Sequence, residues 1–142
     1  MSAENKALSK RLLEEAFNAG NLAVMDEILA DGFVNYDAAL PEPGIGIDAA
    51  KASVTGYRDA FPDLKITIEE QIAEGDSVVT RWTARGTHQG GLMGIPATGK
   101  QATVTGITID RIADGRITES RTNWDTLGLL QQIGAIPAMA PA

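Results

Sequence analysis

The stretch Arg116 to Asp125, RITESRTNWD, carries more polar chemistry than a buried strand needs. If extended, it places Ile117, Glu119, Arg121, Asn123 and Asp125 on one face and Thr118, Ser120, Thr122 and Trp124 on the other. A row of Glu, Arg, Asn and Asp makes sense as the lining of a partly wet pocket, where the groups pair with one another, with water or with a ligand. Asp125, at the end of that row, is a candidate general acid or base. It also stands immediately before Thr126-Leu127-Gly128-Leu129-Leu130, where it is well suited to cap a helix. Arg121 could stabilise an enolate or carboxylate through charge-assisted hydrogen bonds, or pair with Glu119 or Asp125.

His88 is the only histidine, which excludes multi-histidine metal sites and any Ser-His-Asp arrangement that does not use it. It sits where a strand runs into the glycine-bearing loop Gln89 to Gly99. That loop is either a lid presenting Leu92, Met93 and Ile95 to a substrate or a surface loop with an exposed histidine. Its glycines lack the strand-turn-helix setting and spacing of a phosphate-binding loop. Trp82, Tyr57, Phe17 and Phe61 are candidates for apolar wall or core. Asn35 and Tyr36 are rim, turn or pocket residues. The strand Thr103 to Ile109 offers only threonines as polar groups, with Thr105 the candidate substrate contact.

The elements that must position these residues follow from period and punctuation. Leu8, Leu12, Leu13, Ala16 and Phe17 have helical spacing up to Gly20, and a second helix, Leu22 to Leu29, is capped by Asn21. Phe33 to Asp37 is a short strand, and the Pro/Gly-rich stretch Leu40 to Gly46 is expected not to pair. Asp48 caps a helix over Ala49 to Phe61 that Pro62 ends. Then come Leu64 to Ile72, with its even-numbered residues inward, and strands Ser77 to His88, Ala102 to Ile112 and Arg116 to Trp124, in a sheet expected to be antiparallel throughout. A last helix covers Thr126 to Ile133. Helices first and strands afterwards is an α+β order. Residues 1–136 form one domain and 137–142 a flexible tail.

The chain has 142 residues, enough to bury a core without disulfides, and no cysteine to make them. Twelve Lys and Arg against nineteen Asp and Glu give a net charge of −7, with the basic residues scattered, which argues against a nucleic-acid partner. The N-terminus leads into a charged amphipathic helix, and no run reaches membrane-spanning length, so a cytoplasmic protein with no membrane partner is expected.

Arg81-Trp82-Thr83-Ala84-Arg85-Gly86-Thr87-His88-Gln89-Gly90, Gly94-Ile95-Pro96-Ala97-Thr98-Gly99, and Trp124-Asp125 with Leu127-Gly128-Leu129-Leu130-Gln131-Gln132-Ile133-Gly134 resemble the pattern of the SnoaL-like ester cyclases of the NTF2-like superfamily. Phe33-Val34-Asn35 and Phe61-Pro62-Asp63-Leu64 extend the resemblance over most of the chain. It implies a cone of N-terminal helices on a curved antiparallel sheet enclosing a pocket for a small hydrophobic carbonyl or ester substrate. It also implies Asp125 as acid/base, Asn35 as a hydrogen-bond partner, an intramolecular aldol closure, and no metal or organic cofactor. Two positions depart from the pattern: Arg121 stands where an aromatic residue is common, and the Thr103 to Ile109 strand lacks the histidine that characterised cyclases place there. Two other readings share the fold. One is a limonene-epoxide-hydrolase-like enzyme using Glu119, Asp125 and Arg121. The other is a non-catalytic binding or dimerisation domain, pairing through the Thr118, Ser120, Thr122, Trp124 face. A homodimer or higher homo-oligomer fits all three.

Overall fold

The computed structural model describes residues 2–137; the expected flexible tail, apart from Pro137, lies outside the described residues. Helix α1 (Ser2–Arg11) continues into a π-helical segment (Leu12–Asn18) that buries Leu12, Leu13 and Ala16. Gly20, at φ +73°, ends it in a conformation only glycine adopts freely. Helix α2 (Val24–Ile28) is shorter than its apolar pattern suggested, and its N-cap is Ala23 without a side-chain bond, so Asn21 does not cap it. Helix α3 (Ile47–Ala60) starts from Gly46, leaving Asp48 within the first turn rather than at the cap, and stops at Phe61 before Pro62. Helix α4 (Thr126–Gln132) closes the described chain.

Six strands, β1 (Leu29–Asp37), β2 (Gly44–Ile45), β3 (Lys65–Glu74), β4 (Ser77–Thr87), β5 (Gln101–Ala113) and β6 (Arg116–Trp124), form one sheet in the order β2-β1-β6-β5-β4-β3. Two expectations are corrected. The proline-rich stretch does pair, through Gly44 and Ile45 on β1, and β1 lies parallel to β6, not antiparallel. The reason is the path of the chain: α3 carries it away from β1 to the far edge, and the β3 to β6 meander returns to β1 from the other side.

Alternation along the strands decides what faces the helices. On β4 and β5 it is regular, with Val78, Thr80, Trp82 and Ala84, and Ala102, Val104, Gly106, Thr108 and Asp110, pointing inward. On β3 a bulge between Ile68 and Glu70 reverses it, so Ile72 is 59% exposed and the even-face expectation fails beyond that point. On β6 a bulge at Thr118 does the same, since Ile112 pairs with Ile117 but Arg111 pairs with Glu119. Ile117 is therefore inside, and so are Ser120, Thr122 and Trp124, the face expected to point away from the pocket. The helices cover this inner surface through two apolar clusters, one around Met25, Ile28 and Val54 and one around Phe61, Trp82 and Leu129, with Phe17 packed against both. The result is an α+β cone of the kind expected. No helix among the described residues is long and apolar enough to cross a membrane.

Candidate active site

Between the helices and the curved sheet lies a cavity of about 140 Å³, walled mainly by apolar side chains such as Phe17, Met25, Phe33, Val54, Leu64 and Val104. Ser53 and Tyr57 of α3 and Arg85 of β4 reach it, and its other polar groups come from adjacent strands in register. Asp37 on β1 is level with Thr122 on β6 and Thr108 on β5; Asn35 is level with Ser120 and Asp110. These transverse rows exist because same-face residues on neighbouring strands stand side by side.

Asp37 is the carboxylate of the cavity wall. Its Oδ2 accepts the Tyr57 hydroxyl at 2.6 Å, and its Oδ1 accepts the Trp124 Nε1–H and the Ala39 backbone N–H, both at 2.9 Å. Tyr57 and Trp124 also meet edge to face, with ring centroids 6.1 Å apart, so the two donors brace each other. Burial, reinforced by the bond to Asp37, pushes the Tyr57 phenol well above its usual range, which keeps it a hydrogen-bond donor. Three donors leave one lone-pair position of the half-buried carboxylate unused.

Behind Ser120 lies Asp110, 2% exposed, which accepts hydrogen bonds from Ser120 and, at 2.6 Å, from Ser9 of α1. Burial pushes this carboxyl above its ordinary value, and the two hydroxyl bonds oppose the shift. The folded state thus holds the proton more tightly than the unfolded chain, so the stability linked to it is greatest below the unfolded pKa of about 3.9 and falls as pH rises through the folded value. Urea unfolding of wild type and Asp110→Asn is expected to show the difference shifting against the wild type as pH is raised from about 4; a pH-independent difference would contradict this.

Asn35, Tyr57 and Trp82 lie on the cavity wall. The other sequence candidates lie elsewhere. Asp125 is exposed, outside the lining, and its Oδ1 accepts the Gly128 N–H at 2.9 Å as the N-cap of α4. The β6 bulge, and the turn into the helix, take it off the inner face. Glu119, Arg121 and Asn123 share the outer face: Arg121 pairs with Glu119 at 2.9 Å and stacks on Tyr36 at 3.9 Å. The carboxylate pair required by the epoxide reading is therefore not assembled at the cavity. Arg121 and Asn123 instead line a second cleft of about 260 Å³ with Tyr36, Pro41 and Pro43, and it meets the cavity at Asp37 and Thr122.

Thr105 points outward, because on β5 the even-numbered residues face in. His88 is fully buried, neither exposed nor on the cavity wall: it packs on Phe61 with centroids 5.5 Å apart, and its Nδ1 lies 3.0 Å from the Thr98 hydroxyl. Met93 is 41% exposed on a loop held to the end of α3 by the Gln89 and Gly90 N–H groups on the Ala60 carbonyl, away from the cavity.

A family model for SnoaL-like polyketide cyclases matches residues 7–133. Aklanonic acid methyl ester cyclase DauD of Streptomyces sp. (strain C5) is 33% identical over 127 residues, 87% of this chain and 78% of the relative. Aklanonic acid methyl ester cyclase DnrD of Streptomyces peucetius is 32% identical over 126 residues, 87% of both. Among solved structures, one assigned to the SnoaL-like polyketide cyclases from Jannaschia sp. CCS1 superposes with a TM-score of 0.88 at 29% identity, covering 96% of this chain and 95% of that one. By sequence and by fold, the chain belongs to the SnoaL-like polyketide cyclase family of enzymes.

Proposed function

We propose that the chain closes a ring by an intramolecular aldol-type step on a small carbonyl-bearing ester, with Asp37 as its acid/base. The observation that carries this reading is the placement of Asp37, alone as a carboxylate among the described lining residues, on a mainly apolar cavity wall, oriented by Tyr57 and Trp124. The carboxylate removes a proton from a carbon flanked by carbonyls. The resulting enolate carbon bonds to a second carbonyl carbon of the same molecule, and the new alkoxide recovers the proton from Asp37. Nothing is gained or lost, so the net change is an isomerisation that needs no metal or organic cofactor. The apolar walls contribute by folding the substrate and excluding water. The names of the two Streptomyces relatives make methyl esters of polyketide acids the substrates to test first.

The experiment is turnover on a panel of methyl-ester β-dicarbonyl compounds by wild type, Asp37→Asn and Asp125→Asn. Asparagine caps a helix about as well as aspartate, so Asp125→Asn is expected to match wild type in both melting temperature and turnover. Loss of turnover in that variant, with Asp37→Asn active, would return the acid/base role to Asp125.

The protein is further proposed to work as a homodimer. The sheet face expected for pairing lines the cavity, whereas the outer face exposes Ile72, Ile107 and Ile109. Sedimentation velocity is expected to show a dimer that Ile107→Glu converts to monomer; a monomeric wild type would dismiss it.

A further inference from the structure

The inner sheet face also carries a short hydroxyl relay that no step above has used. Trp82 Nε1–H donates to Thr108 Oγ1 at 3.0 Å, and Thr108 Oγ1 lies 2.9 Å from Thr122 Oγ1. The two hydroxyls own two hydrogens, and the bond between them uses one. Trp82 supplies a donor and takes none. The remaining hydrogen finds no acceptor among the described residues, and both threonines line the cavity. Whichever way the pair is oriented, it keeps one O–H for a ligand. When Thr108 donates to Thr122, the indole N–H polarises the chain toward Thr122 and strengthens its outward O–H.

Thr122 stands beside Asp37 on neighbouring strands, in register and on the same face. Resting on the reading of Asp37 as base, we propose that Thr122 hydrogen-bonds the carbonyl oxygen of the carbon acid and stabilises the charge that gathers there as the enolate forms. Trp82 and Thr108 act through it as positioning residues. An acceptor for the proton and a donor for the oxygen, side by side in an apolar cavity, are the two groups enolisation requires, and a donor already in place costs no reorganisation when charge develops. Of the threonines on β5, Thr108 feeds the donor, whereas Thr105 on the opposite face does not.

The test is a binding measurement, independent of turnover. 4-Nitrophenolate is a single-ring oxyanion in scale with the cavity, and its absorption band moves to shorter wavelength when its oxygen accepts a hydrogen bond. Asp37→Asn provides the background, since asparagine stands in for the base after it has taken the proton. In that background Thr122→Val, which keeps side-chain shape, is expected to weaken 4-nitrophenolate binding about tenfold and to move the bound band to longer wavelength. Thr122→Ser is expected to restore both, and Trp82→Phe to move the band in the same direction by less. Circular dichroism identifies any variant that fails to fold, and Thr108→Val then replaces it. An affinity and band position in the Asp37→Asn, Thr122→Val protein equal to those of Asp37→Asn alone would overturn the assignment. Turnover retained by Asp37→Asn would overturn the acid/base reading and leave the donor assignment to stand on the phenolate result.

Discussion

Asp37→Asn is expected to lower turnover by roughly 10²- to 10⁴-fold, the span that a positioned general acid/base contributes, while the protein remains folded. Stability should change little, because an asparagine oxygen can still accept from Trp124 Nε1 and the Ala39 N–H, and the side-chain amide can donate to the Tyr57 oxygen once that hydroxyl turns. What the substitution removes is the basic oxygen facing the cavity. The loss should fall in kcat more than in KM, since proton transfer belongs to the transition state and the apolar walls that bind the substrate are untouched. Steady-state kinetics on an active methyl-ester β-dicarbonyl, with a denaturation curve on the same sample, decides it. Unchanged kcat in a folded Asp37→Asn protein would remove Asp37 from the chemistry.

The second large effect is expected at Gly106. Trp82, Gly106 and Trp124 stand in one row across β4, β5 and β6, with the glycine between two indoles on the inner face. A Cβ at residue 106 would lie 2.6 Å from Trp82 Cη2, and closer still to its neighbour in the ring, a separation no packed structure tolerates. The indole cannot give way freely, because Nε1 is bonded to Thr108 and the ring wall belongs to the buried cluster around Phe61. Gly106→Ala should therefore cost about 1–3 kcal/mol of stability and displace Trp82, with turnover falling as the cavity is reshaped. Trp82→Phe in the same chain shortens the ring system and should recover part of the lost stability. A double-mutant cycle by urea unfolding measures the coupling. Additive effects would show that the clash is relieved elsewhere.

The sequence was most legible where alternation runs unbroken. On β4 it puts Trp82 on the inner face without ambiguity, and the α+β order follows from helices preceding a meander closed by Asp114-Gly115, where both residues take positive φ. It was least legible at the two bulges. One extra residue near Glu69 turns Ile72 to solvent, and one at Thr118 sends Arg121 and Asn123 outward and Thr122 inward. A single-residue slip exchanges every side chain between faces, so the polar row on β6 was assigned to the wrong one. Asp37 could have been found: it follows Phe33 and Asn35 at intervals of two on a strand already identified, so any argument that turns Asn35 toward a pocket turns Asp37 with it. The bond from Trp124 to Asp37 had no local signature, because the parallel pairing of β1 with β6 arises from the route of the whole chain. Asp110 was hidden among hydrophobic neighbours on an alternating strand, where a lone carboxylate is tolerated only with partners as remote as Ser9.

That same pairing sets when the enzyme can first exist. Asp37 and Trp124 are separated by 87 positions of chain, and apart from the two residues of β2, the only strand that covers β1 is the last to be made. During synthesis each strand of the β3 to β5 meander pairs with its neighbour in sequence, but β1 waits with an open edge for Arg116 to Trp124, a long-range closure of the kind that slows folding. A product ending before β6 holds Asp37 without the Trp124 indole that orients it or the Thr122 that stands beside it. On the proposed role of Asp37, a chain interrupted before β6 is expected to be inert.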